Sequence, residues 1–195
     1  MNNVPFTLSQ VRPIRDAMTV SRPSGLGYGV PVTWFSLGAG TSITPEYYDC
    51  TTLYLGGEGN GKFLLGVDGQ EVSVKPGEVL YVPPKTLCGT KTDSGTIYTE
   101  IILKKETFTM NSILKAGQPT ALKDLISYEE GSIANLDLVH ADNMKFVLMA
   151  FDEGTGLTPH RAPGNAILTA LEGKAIIGYE GKDYELNAGE SFRFD

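Results

Sequence analysis

An all-β chain built as two successive small barrels follows from three features of this sequence. It contains an internal repeat, its apolar runs are strand-length and end in turn residues, and only one short stretch carries a helical signal. The repeat is the clearest of these. Residues 62–83, KFLLGVDGQEVSVKPGEVLYVP, align without a gap on residues 174–195, KAIIGYEGKDYELNAGESFRFD, at an offset of 112. Lys62/Lys174, Gly66/Gly178, Gly69/Gly181, Gly77/Gly189 and Glu78/Glu190 are identical, and Leu64/Ile176, Leu65/Ile177, Asp68/Glu180 and Val74/Leu186 keep their character. Self-similarity at fixed spacing is the signature of a duplicated structural unit.

Both copies spell the same β structure. The runs FLLGV and AIIGY end at Asp68–Gly69 and Glu180–Gly181, and an acidic residue followed by Gly suits hairpin turns that need positive φ. Alternating stretches follow at Val72–Val74 and Tyr184–Leu186. Pro76–Gly77 and Ala188–Gly189 then turn the chain into a further strand. Around the first copy, strands are expected over 31–37, 47–55 and 95–103. The glycine-rich stretch through Glu58, Gly59, Asn60 and Gly61 is expected in a hairpin loop. Ahead of the second copy, NLDLV and MKFVLMAF read as a hairpin closed through His140, Ala141, Asp142 and Asn143, followed by a strand over 165–171. The helical stretch is ALKDLI, 121–126. These elements place one barrel over residues 1–108, a link with a short helix over 109–124, and a second barrel over 125–195. The second unit ends about 21 residues before the counterpart of the first, about two to three strands and their turn. Such a sheet leaves unpaired edges, and the readings are a shortened chain, a covering neighbour, or cover by the N-terminal segment.

Composition narrows the function. The chain has 195 residues, 41% hydrophobic and 20% charged, with net charge −7, pI about 4.9 and mean hydropathy −0.09. That balance argues against disorder. Nucleic acid or an anionic membrane surface as main partner is also disfavoured, because both need basic patches. No apolar run reaches the ~18 residues of a membrane span, and the first residues lack the basic and apolar regions of a secretory signal. Two cysteines make neither a disulfide-rich scaffold nor a zinc finger, so the reducing cytoplasm is the expected compartment. A phosphate loop and a nucleophile elbow are both missing.

Two stretches carry a resemblance. Gly154, His160, Ala162, Ala166 and Gly173 keep the spacing of Gly, five residues, His-x-His, three or four residues, Glu, six residues, Gly. Gly77, Pro83, Lys85 and Cys88 keep that of Gly, five residues, Pro-x-Gly, two residues, His. In this the sequence resembles the cupin superfamily, and specifically its two-barrel members, the bicupins. The resemblance implies two tandem jelly-roll (double-stranded β-helix) barrels, the second lacking its last strands. In the family, the two His, the Glu and the last His bind a divalent metal that supports oxygenation, decarboxylation or isomerisation. Here the second barrel keeps only His160, with Ala162 and Ala166 at the next two stations. In the first barrel one register puts Thr44, Glu46 and Cys50 at the first three stations. A second register, shifted by two, puts Glu46 first and Tyr48 second. Cys88 takes the fourth station in both.

Three states of the cysteines stay open: inert core residues, a thiolate–carboxylate metal site of Cys50, Cys88 and Glu46, or a disulfide if their Cα atoms lie within about 7 Å. His160 is a further weak metal candidate, although one imidazole does not make a site that needs three or four ligands. Glu46 either points inward with a partner or a raised pKa, or sits solvated at a barrel rim. Alternation puts Tyr48, Cys50, Thr52 and Tyr54 on one strand face, offering hydroxyls and rings to a ligand or simply filling the barrel. His140 reads as a solvated loop residue and Arg161 as a surface one. The expected function is binding of a small polar or anionic molecule in a barrel pocket lined by Glu46, Tyr48, Cys50, Tyr54, Cys88 and His160, without strong catalysis. The alternatives are a divalent-metal cupin enzyme acting on a sugar or small carboxylic acid, and a structural protein acting as a homodimer.

Overall fold

The computed structural model describes residues 3–26, 29–103, 108–161 and 164–194. Strands dominate. A single helical turn, α1 (Leu8–Val11), is closed by a capping box between Thr7 and Gln10. The stretch 121–126 forms only a 3-10 turn, Leu122–Leu125.

The first unit is two antiparallel sheets packed face to face. One has six strands, β1 (Thr19–Pro23), β2 (Val32–Leu37), β4 (Thr51–Gly59), β7 (Glu78–Val82), β9 (Thr96–Leu103) and β11 (Pro119–Ala121), in the spatial order β1-β2-β9-β4-β7-β11. The other has β3 (Ser42–Glu46), β5 (Gly61–Leu65), β6 (Gln70–Val74) and β8 (Cys88–Lys91), in the order β3-β8-β5-β6. Side chains alternate across each strand, so Tyr54, Leu80, Val82 and Tyr98 of the large sheet meet Phe63, Leu65, Val72 and Val74 of the small one in the lumen. The opposite face of the large sheet carries Leu53, Val79, Ile101 and Leu103 into a second apolar cluster. A sheet buried on both faces reads as continuous apolar sequence, which is why GTIYTEIIL shows little alternation.

The glycine-rich stretch is not a hairpin loop. β4 runs through Gly59 and β5 starts at Gly61, so the chain passes from the large sheet to the small one at Asn60, after a bulge between Gly56 and Glu58. A Cβ at Gly56 would sit 2.1 Å from the Lys75 carbonyl oxygen, so the chains approach too closely there for any side chain. Strand β4 also starts later than residue 47. Asp49 and Cys50 form a bend, with the Tyr48 carbonyl accepting from the Lys85 amide at 2.8 Å. The single strand face expected from Tyr48 to Tyr54 therefore begins only at Thr52.

The second unit repeats the strand pairs of the first. β12 (Ile133–Ala141) and β13 (Met144–Phe151) form a hairpin like β1–β2, with the short β10 (Phe108–Met110) beside β12. β14 (Ala166–Thr169) pairs with β17 (Ser191–Phe194) as β4 pairs with β7. β15 (Lys174–Tyr179) pairs with β16 (Lys182–Asn187) as β5 pairs with β6. The β15–β16 turn is the two-residue type that the acidic-Gly pair suggests, with φ of 50° at Glu180 and 75° at Gly181. The first hairpin instead needs a four-residue turn, 66–69. His140 lies inside β12 opposite Lys145, not in the turn, because the turn tightens to Asp142–Asn143.

Three sets of contacts join the units. Leu138, Val139 and Leu148 pack on the outer face of the six-stranded sheet. The region 109–124 belongs to both, since β10 pairs with β12 and β11 with β7. The N-terminal segment covers the free side of β17: Phe6 and Ser191 exchange backbone hydrogen bonds of 2.9 and 2.8 Å, and the Phe6 ring meets the edge of Trp34.

Candidate functional site

One cavity of about 40 Å³ opens into the first barrel, lined by Phe35, Ile43, Thr44, Glu46, Tyr48, Tyr54, Cys88, Thr90, Tyr98 and Glu100. Its position follows from the packing. Large side chains fill most of the lumen, with Phe35 stacked on Tyr98 at 5.0 Å and Tyr54 set edge-on to Tyr98 at 5.9 Å. Beyond them, the end of β3, the start of β8 and the middle of β9 bring smaller and polar side chains together. Glu46 pairs across the sheet with Cys88, and Glu100 sits opposite Tyr54.

The cavity has a wet mouth and a dry floor. Thr44, Glu46 and Tyr48 are exposed, whereas Tyr54, Thr90, Tyr98 and Glu100 are buried. Glu100 is only 6% exposed and no Lys, Arg or His lines the cavity. Desolvation therefore pushes its carboxyl up to about 7. The Glu46 charge adds to the rise, and the Tyr54 hydroxyl, which favours the ionised form, opposes it. Burial likewise pushes the Cys88 thiol up to about 11 and raises the Tyr54 and Tyr98 phenols further from their ionised forms. Tyr48 moves the same way, through burial and then the Glu100 and Glu46 charges. At neutral pH the floor thus offers a carboxyl near its midpoint, two neutral phenols, a neutral thiol and the Thr90 hydroxyl, which lies 3.3 Å from the Tyr98 oxygen.

Of the residues singled out in the sequence, Glu46, Tyr48, Tyr54 and Cys88 come together here. Cys50 does not line the cavity, and both cysteines are free thiols. His160 lies far along the chain in the second unit, exposed, with Nδ1 2.9 Å from its neighbour Thr158's carbonyl oxygen. Ala166 opens β14, while Ala162 falls outside the described residues. Thr44, Glu46 and Tyr48 all line the cavity, so stations of both registers fall on it. Glu100 went unnoticed in the sequence although it carried a signal. It is the only charge in the run 95–103, and alternation puts it on the same face as Tyr98.

A divalent metal fits this lining poorly. Among the described residues no three His, Cys, Asp or Glu side chains are grouped to hold one, and a thiol must lose its proton to serve as a ligand, which Cys88 resists.

No family model and no curated protein matches the sequence. Among solved structures, the cupin 2 conserved barrel domain protein from Leptotrichia buccalis superposes with a TM-score of 0.79 over 97% of this chain and 84% of its own, at 23% identity. A cupin superfamily protein from Desulfitobacterium hafniense DCB-2 aligns over 54% of this chain and 98% of its own, with 24% identity and a TM-score of 0.48. A conserved protein of unknown function from Streptococcus pyogenes aligns over 54% and 95%, with 17% identity and a TM-score of 0.45. The first of these likenesses shows the fold: the chain is all-β, with the double-stranded β-helix fold of that cupin barrel protein. Among the described residues, no helix is long and apolar enough to cross a membrane.

Proposed function

We propose that this protein binds a small polar molecule in the cavity of its first barrel and is not a strong catalyst. The observation that carries this reading is the cavity itself, where buried polar groups line a hollow that the surrounding aromatic packing leaves open. A molecule of a few heavy atoms placed there would meet the Glu100 carboxyl and the Tyr54, Tyr98 and Thr90 hydroxyls as hydrogen-bond partners. The volume sets the scale. About 40 Å³ is far below the ~300–1,000 Å³ of pockets that enclose drug-sized ligands, so a whole sugar is too large. A metal-dependent reaction is disfavoured by the donor set, not by the fold. We further infer that the chain is a bicupin whose metal stations, at the positions the motifs reach, have lost most of their ligands.

Thermal unfolding with a panel of small amines, carboxylates, alcohols and sugars tests the reading. A ligand selective for the folded state at a hundred times its Kd adds about 2.7 kcal/mol, or roughly 5–10 °C for a chain of this size. Thr44→Trp, an exposed substitution that obstructs the mouth, should abolish the shift. A panel without any shift, or a shift untouched by Thr44→Trp, refutes the reading.

A further inference from the structure

Resting on that reading, we propose that the molecule taken by this cavity is a small organic cation, an ammonium group held by Glu46 and Glu100 against the rings of Phe35, Tyr54 and Tyr98. Charge is the first argument. The lining has two carboxylates and no basic side chain, so an anionic ligand would meet like charge with no counterion. Among the described residues, every titratable group facing Glu100 is acidic or neutral: Glu46 from β3, Tyr48 from the loop after it, Tyr54 from β4, Cys88 from β8 and Tyr98 from its own strand.

Burial is the second argument. A carboxylate as enclosed as Glu100 is costly without a positive partner, and among the described residues none lines the cavity. A cation that enters the cavity provides it. The third argument is the wall. Phe35 and Tyr98 lie nearly parallel, 6° apart, with Tyr54 turned 72° to Tyr98, so the cavity presents aromatic surface next to its carboxylates. Rings and carboxylates together are the chemistry that recognises an organic ammonium. A strongly hydrated inorganic ion would gain nothing from the rings. The path is graded too, because the exposed Glu46 draws a cation to the mouth and Glu100 receives it on the floor. The volume admits an ammonium group with one or two carbons and leaves any longer tail at the mouth.

The test follows backbone amide shifts of the full chain at pH 8 while methylammonium, acetate or methanol is added. Methylammonium should shift the amides of Cys88, Tyr98 and Glu100 saturably, and the other two probes should not at equal concentration. Glu100→Gln should weaken methylammonium about tenfold or more, the scale of a charge-assisted hydrogen bond. Glu46→Gln, at an exposed position that leaves the fold intact, should weaken it by a smaller factor. Acetate or methanol shifting these amides while methylammonium leaves them unmoved overturns the inference but keeps the cavity as a binding site. Methylammonium binding that neither substitution weakens also overturns it. Silence from all three probes, joined to a flat thermal panel, removes both the inference and the reading beneath it.

Discussion

Glu100 couples the stability of the fold to pH in a direction opposite to that of most carboxylates. A salt-bridged Asp or Glu loses stability on acidification, whereas Glu100 binds its proton more tightly in the folded chain than in the unfolded one. Below pH 4.5 both states hold the proton, and above about 7 both have released it. Between these limits the folded state binds more protons, so unfolding becomes easier as pH rises. Moving a carboxyl from 4.5 to about 7 corresponds to about 3 kcal/mol, at 1.36 kcal/mol per pH unit. Because Glu100 is buried, solvent screening discounts this little. Glu100→Gln keeps the shape and removes the titration. Urea unfolding of both proteins from pH 4 to pH 8 isolates the effect, since the other ionisable groups are common to the two. The stability of the natural chain relative to the variant should fall by about 3 kcal/mol across that range, nearly all of it between pH 4.5 and 7. A difference that does not change with pH would show that the carboxyl reaches water or a cationic partner, and the account of the cavity floor would fail.

Two further outcomes follow from other parts of the structure. With its thiol moved from 9.0 to about 11, Cys88 holds about a hundredfold less thiolate at pH 8 than an ordinary cysteine; a Cys50→Ser variant should therefore alkylate at least about a hundredfold slower than a small free thiol, and reaction at the free-thiol rate counts against burial of Cys88. Phe6→Ala removes a buried ring that packs on Trp34 while leaving the backbone bonds to Ser191 available. It should cost about 3 kcal/mol and raise amide exchange across β17, and unchanged protection of β17 would mean that the N-terminal segment does not hold that edge.

The strand pairs were legible because turns and alternation are local. Glu180–Gly181 takes the positive φ values that a two-residue hairpin turn needs, and the offset of 112 carried the pairing from one unit to the other. The site was legible only in part. Glu46 and Cys88 were placed by spacing, and Tyr54 by its position in an apolar strand. Cys50 was misplaced on the strand face with Tyr48 and Tyr54 because the bend at Asp49–Cys50 depends on a backbone bond to Lys85, a partner 37 residues away from Tyr48. Glu100 was hidden for a related reason. In a strand buried on both faces, alternation no longer separates inside from outside, so a lone charge does not declare which face it takes. β3 and β11 are short strands whose pairing is decided by neighbours distant in sequence.

The strand pairs of the second unit are a subset of those of the first. In the six-stranded sheet β9 lies between β2 and β4, and removing it would leave two separate hydrogen-bonded groups, β1–β2 and β4–β7 with β11. In the small sheet, removing β8 would detach β3 and leave β5–β6. Among the described residues the second unit contains these separated pairs, β12–β13, β14–β17 and β15–β16. Two-stranded ribbons are marginal on their own. They are held instead by borrowed surfaces. Leu138, Val139 and Leu148 use the outer face of the first barrel, each buried aliphatic side chain contributing about 1.5–3 kcal/mol, and Phe6 completes the side of β17. Ile176 on β15 and Met149 on β13 stay exposed, at 60% and 40%. An enclosed cavity needs both sheets closed around it, and the cavity described above lies between the two sheets of the first unit.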